Sequence, residues 1–232
     1  MYSPLYSYAT ALSLLPLGQP LLLGSTTALA TAAVVLSTQA AHAQSAADYV
    51  NAGIEKGKRG EFKGAIADFT RAIEIEPQYA RAYYNRGLAK EKSGDYQGAI
   101  IDYTRAIETN PQHAGAYNNR GNAKFNLKDY QAAIADYSKV IEIDPQDADA
   151  YYNRGNAKDE SKDYQGPLAD YNKAIAIIPQ DAYVYYNRGI AKGKLGNDRG
   201  GCADYKKAAS LGHQGAAQLL NSEGGAWCLK MR

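Results

Sequence analysis

The chain has 232 residues, with 26 basic and 24 acidic side chains, a formal net charge of +2 and 45% hydrophobic content. This balance excludes a wholly disordered chain and gives no bulk basic signature, so nucleic acid is not an expected partner. Two Cys and three His exclude a disulfide-dense scaffold and a four-cysteine zinc site, and no metal or cofactor is expected.

Residues 1–45 contain no Lys, Arg, Asp or Glu. Apolar runs cover Ala11 to Leu17 and Leu21 to Leu36, the second interrupted by Gly24, Ser25, Thr26, Thr27 and Thr31. That is short and polar for a membrane-spanning helix, which needs ~20 mostly apolar residues. It suits the apolar core of a secretory signal. The sequence Ala41-His42-Ala43-Gln44 has the small-x-small form of a cleavage site, so residues 1–43 are expected to be a signal peptide cleaved after Ala43. A basic n-region is missing from it. The alternative is an uncleaved N-terminal anchor, which would be the chain's only route to a membrane. Export would place Cys202 and Cys228 where disulfides persist, making them a candidate bridge, with two buried inert thiols as the alternative.

Residues 46–215 are five ungapped copies of a 34-residue unit: 46–79, 80–113, 114–147, 148–181 and 182–215. Numbered within the unit, position 4 is Tyr49, Tyr83, Tyr117, Tyr151 and Tyr185. Position 8 is glycine throughout, from Gly53 to Gly189. Position 24 is Phe69, Tyr103, Tyr137, Tyr171 and Tyr205. Positions 4, 7, 8 and 11 share one face of a first helix, and positions 20, 24, 27 and 28 one face of a second. Gly60, Gly94 and Gly196 at position 15 suit a left-handed helix end, whereas Lys128 and Lys162 there predict a less clean one. Asp95, Asp129, Asp163 and Asn197 at position 16 are N-cap residues for the second helix. Proline at position 32 of the first four units stops that helix.

A 34-residue helix-turn-helix unit with this residue order resembles the tetratricopeptide repeat. The resemblance implies an all-α fold, a right-handed superhelical solenoid of five antiparallel helix pairs, with residues 216–232 forming a cap helix and tail. Ala216 to Asn221 is the expected cap helix, and the stretch from Tyr205 to Leu220 also resembles, more weakly, the Sel1-type repeat.

The sequence departs from the family at charged positions on the packing face. Position 7 is Ala52, Arg86, Arg120, Arg154 and Arg188. Position 11 is Lys56, Lys90, Lys124, Lys158 and Lys192, and position 23 is Asp68, Asp102, Asp136, Asp170 and Asp204. Cations on a packing face need compensation. The expectation is therefore a ladder of Arg–Asp pairs, with the lysine stems covering the tyrosine rings.

In the resembled family the first helices line a concave groove. Carried over, position 6 gives Asn51, Asn85, Asn119, Asn153 and Asn187, a regular row of amides able to pair with an extended peptide. Alternatively each Asn bonds the neighbouring unit's backbone and fixes repeat spacing. Tyr84, Tyr152 and Tyr186 at position 5, with Arg81, Leu88 and Phe125, complete the candidate groove. His113 and His213 fall in loops between units. No nucleophile–His–carboxylate set, phosphate-cradling glycine loop or metal spacing is present, so an enzyme is not expected. The function implied is an exported, non-catalytic scaffold binding a peptide or helix of another protein, in periplasm, thylakoid lumen or outside the cell. The assembly of a membrane or secreted complex would be a natural task. The alternatives are a self-associating structural protein, stacked through Tyr49 and Val50 of unit 1, and a membrane-anchored adaptor.

Overall fold

The computed structural model describes residues 44–163, 165–222, 225, 228 and 229. The signal-peptide reading of residues 1–43 lies outside the described residues. Helices fall two to a unit: α1 (Ala46–Lys58) and α2 (Phe62–Ile75), α3 (Ala80–Lys92) and α4 (Tyr96–Thr109), α5 (Ala114–Asn126) and α6 (Tyr130–Ile143), α7 (Ala148–Glu160) and α8 (Gly166–Ile177), α9 (Ala182–Lys194) and α10 (Asp198–Ser210). A shorter α11 (Gln214–Asn221) follows. Each helix packs on the next in the chain, and the first helices of adjacent units also touch, so the array is a solenoid of stacked helix pairs.

Local chemistry accounts for the boundaries. Ser45 caps α1 in a reciprocal box, its hydroxyl accepting from the Asp48 amide while its own amide donates to the Asp48 carboxylate at 3.0 Å. Asp95, Asp129 and Asn197 accept from the Gly98, Ala132 and Gly200 amides. Asp163 accepts from Gly166, but α8 starts later in its unit than α2, α4 and α6 do in theirs. Pro167 is the cause: lacking an N–H, it is accommodated in the first turn of a helix and not in its interior.

Position 15 shows a difference from expectation. Gly60, Gly94 and Gly196 have φ of 77°, 86° and 75°, and Lys128 and Lys162 adopt the same left-handed conformation at 63° and 66°. The turn geometry is imposed by the repeat and these lysines accept it, at a cost of roughly 1–2 kcal/mol each.

The core is built from alanines and one large ring per unit. Phe69, Tyr103, Tyr137 and Tyr171 are buried, each laid on the glycine at position 8 of the facing helix. A Cβ at Gly121 would stand 2.8 Å from Cε1 of Tyr137. Gly121→Ala is therefore expected to destabilise the chain by about 1–3 kcal/mol, because the buried ring must shift. Gly57→Ala, where nothing lies within 4 Å, should instead gain up to ~1 kcal/mol of helix propensity. Urea denaturation of the two variants checks the opposite signs.

Val50 corrects one expectation. It is fully buried with Ala82 and Ala89 in the core between units 1 and 2, so it is not available for stacking with another copy. Position 5 faces forward, toward the following unit. At the other end, α11 begins at Gln214, two residues before the predicted Ala216. His213 caps it, its Nδ1 accepting from the Ala216 amide at 3.0 Å. Cys202 and Cys228 are joined as a disulfide with Cα atoms 5.3 Å apart, both sulfurs buried against Leu220.

Candidate functional site

The charged ladder runs through units 2 to 5. Arg86 holds Asp102 bidentately, Nε donating to Oδ2 at 2.9 Å and Nη2 to Oδ1 at 2.7 Å. Arg120 with Asp136, Arg154 with Asp170 and Arg188 with Asp204 repeat this geometry. Charge-assisted bidentate pairs of this kind are the strong ones. The lysines differ from expectation. Lys90, Lys124, Lys158 and Lys192 bring their ammonium groups to the same carboxylates at 2.7–2.8 Å. It is the arginines that cover the rings, each guanidinium lying 5.3–5.7 Å from the centroid of Tyr83, Tyr117, Tyr151 or Tyr185.

Each arginine also reaches back one unit. Nη1 of Arg86, Arg120 and Arg154 donates to the hydroxyl of Thr70, Thr104 and Ser138 at 3.0–3.1 Å, and that of Arg188 to Oδ1 of Asn172 at 2.7 Å. The three hydroxyls spend their own protons on the carbonyls of Ile66, Ile100 and Ile134 and keep lone pairs for the arginine. Position 25 is thus an inter-unit acceptor. Its signal, an oxygen-bearing side chain in these four units, is present in the sequence, but its partner lies in the next unit.

The groove amides are also engaged between units. Asn119 donates to the Tyr84 hydroxyl at 3.0 Å, Asn153 to Asn118 Oδ1 at 3.3 Å, and Asn187 to the Tyr152 hydroxyl at 2.8 Å and Asn156 Oδ1 at 3.1 Å. The partners are position-5 and position-9 side chains, not backbone. Asn85 instead donates to the carbonyl of Arg81 in its own helix, and the Arg81 side chain is exposed. Tyr84 and Tyr152 are struts whose rings tilt against Tyr103 and Tyr171, while Tyr186 stacks on His213 at 4.2 Å. His113 caps α5 through Nδ1 and lies 4.6 Å from the Tyr84 ring. Both loop histidines are therefore capping residues, a role the sequence signals by their place just before a helix.

Among the described residues, depressions lie between the first helices of neighbouring units. Ile54, Phe62, Phe69, Leu88 and Ala89 line an apolar one between units 1 and 2, with Asn85 and Lys92 at its edge. Phe125, Asn156, Asp159, Glu160, Asn187 and Lys194 line a polar one across units 3 to 5. Asp159 Oδ2 pairs with Lys194 at 2.7 Å, while its buried Oδ1 has no hydrogen-bond partner among the described residues. Tyrosine hydroxyls tie the second helix of a unit to its first: Tyr103 donates to Glu91, Tyr137 to Asn122 and Tyr171 to Asn156, at 2.6–2.9 Å. Burial pushes all three phenols well above their ordinary range, and the Glu91 carboxylate adds to the effect at Tyr103. Among the described residues no cluster of His, Cys, Asp and Glu could hold a metal ion, and no helix is long and apolar enough to cross a membrane.

Comparison with known proteins places this architecture. A family model described as TPR repeat matches residues 58–94 and 121–158, and models described as tetratricopeptide repeat match 80–113, 102–135 and 148–181. Together they cover residues 58–181 without a break, more than half of the chain. No curated protein sequence matches it. Among solved structures, a crystal structure of MamA is 26% identical with a TM-score of 0.67, covering 71% of this chain and 96% of that one. MamA from Desulfovibrio magneticus RS-1 is 23% identical, with a TM-score of 0.69 and coverage of 72% and 94%. YrrB, described as a TPR protein with an unusual peptide-binding site, is 19% identical, with a TM-score of 0.66 and coverage of 74% and 89%. Contiguous repeat matches, an all-helical stack of helix pairs and neighbours of the same architecture agree: the chain belongs to the tetratricopeptide repeat family.

Proposed function

We propose that this protein is an exported, non-catalytic interaction scaffold that holds a peptide or helix of another protein in its groove. The family supports the general role of a protein-interaction scaffold. The observation that carries the groove assignment is Asp159. A buried carboxylate oxygen with no donor is costly, and Asp159 lines the depression of units 3 to 5 with Phe125 and Asn187. With the side chain turned toward the depression, a donor from a bound segment, a backbone N–H or a basic side chain, would satisfy it. The apolar depression around Leu88 would receive a hydrophobic side chain of the same segment. The candidate amides contribute less directly than their regular spacing suggests, because Asn119, Asn153 and Asn187 already spend N–H groups on the preceding unit.

Export is part of the proposal. The first helix is capped at Ser45, just past the predicted cleavage after Ala43, and a bridge between Cys202 and Cys228 fits an oxidising compartment such as periplasm, thylakoid lumen or the cell exterior. N-terminal sequencing of the chain recovered from expressing cells should read from Gln44; recovery from Met1 in the membrane fraction would favour the anchored adaptor.

Selection of displayed random peptides on the full chain tests the groove. Selected peptides are expected to bind Asp159→Asn and Phe125→Ala at least roughly tenfold more weakly, a loss of about 1.4 kcal/mol, with melting temperature little changed. Binding indifferent to both substitutions would remove the groove assignment.

A further inference from the structure

The inner units show what the tyrosine at position 4 and the aspartate at position 23 do together. In units 2 to 5 they hold a guanidinium between them, stacked on the ring and gripped by both carboxylate oxygens. Unit 1 keeps Tyr49 and Asp68 but has Ala52 where the others have arginine. Lys56 still pairs with Asp68 at 2.7 Å, as its counterparts do. The Asp68 side chain is 14% exposed, against 0–5% for Asp102, Asp136, Asp170 and Asp204, although its Oδ2, the oxygen paired with Lys56, is buried.

Among the described residues, no neighbouring arginine takes the place of the missing group. Residues 1–45 contain no Lys or Arg. Arg71, on the same helix as Asp68, is committed to Glu74 at 2.7 Å. Among the described residues the carboxylate therefore carries one cation where the other four carry two.

We propose that Tyr49 and Asp68 form a docking site for an arginine side chain of a partner protein, which enters as Arg86, Arg120, Arg154 and Arg188 do in their own units. The guanidinium donates to both oxygens of Asp68 and lies on the Tyr49 ring, completing the charge pattern of the inner units. A lysine fits less well. The ammonium place is already taken by Lys56, and only the planar fork satisfies both carboxylate oxygens while stacking on the ring. This site is separate from the groove, so each can fail without the other.

The test uses the full chain, labelled for amide NMR and titrated with n-propylguanidinium, with n-propylammonium at equal ionic strength as control. Saturable shifts centred on Tyr49 and Asp68 are expected, with the ammonium roughly tenfold weaker. Ala52→Arg should fill the site from within, raise the melting temperature and abolish the response. Asp68→Asn, which keeps the side chain's shape, should abolish it as well. Equal responses to the two probes, no saturation, or an unchanged response in folded Asp68→Asn would each overturn the proposal.

Discussion

Asp136→Ala is expected to destabilise the array by about 3–5 kcal/mol, the usual cost of removing one partner from a buried ion pair. Asp136 is 3% exposed and accepts from Arg120 Nε and Nη2 and from Lys124 Nζ. Its loss leaves two cations facing each other on a packing face, and it loosens the arginine that ties α5 to Thr104 of the preceding unit. In a solenoid each interface is a nearest-neighbour term, so the damage should centre on units 2 and 3. Urea denaturation measures the loss, and amide exchange locates it. Asp68→Ala is the internal control: that carboxylate holds one lysine and is more exposed, so its removal should cost clearly less. The pair replacement Arg120→Met with Asp136→Leu should recover much of the stability, because a packed apolar pair carries no desolvation penalty. Equal costs for Asp136→Ala and Asp68→Ala would show that the three-way charge cluster is not what holds the interface.

The Arg–Asp pairs were legible in the sequence because both partners lie in one unit, sixteen residues apart, and the helical period puts them on facing sides. The same holds for the N-caps at position 16 and the ring of position 24 against the glycine of position 8. What periodicity does not give is register between units. The Arg120–Thr104 bond, the Asn119–Tyr84 bond and the forward direction of Val50 depend on how one pair stacks on the next. A 34-residue period fixes which residues recur, not which of them meet across the interface. The lysines differ for a reason inside one unit: stem length permits either a ring or a carboxylate as target, and the arginine three residues after the tyrosine on the same helix takes the ring. Lys128 and Lys162 show a third limit, since backbone conformation at a turn follows the stacking even where the residue disfavours it. The candidate groove residues lie on the first helices of their units. The sequence did not show that most of the amides already carry inter-unit bonds, nor that Asp159 has an oxygen without a donor.

Raising the pH above about 10 should unfold the array steeply. Tyr103, Tyr137 and Tyr171 have rings at most 2% exposed, and burial holds each phenol in its neutral form well past the pH at which a free phenol ionises. Below the unfolded value of about 10 the phenols are protonated in both states, so their burial contributes its full stability. Above it the unfolded chain releases protons that the folded chain keeps, so the unfolded state binds fewer and stability falls with each further rise in pH. Each ring contributes a slope of about 1.4 kcal/mol per pH unit, and the three together on the order of 4 kcal/mol per pH unit, until the fold gives way. The fraction of phenols ionised should therefore rise in two stages: the half-exposed tyrosines gradually, with helical circular dichroism intact, then the buried ones together with its loss. Tyr137→Phe keeps the ring on Gly121 but removes the ionisable group and its hydroxyl bond to Asn122. It should flatten the alkaline slope by roughly one third while costing about 1 kcal/mol at neutral pH. Tyrosinate absorbance that rises as one smooth curve, uncoupled from loss of helix, would show that these buried hydroxyls reach solvent without unfolding.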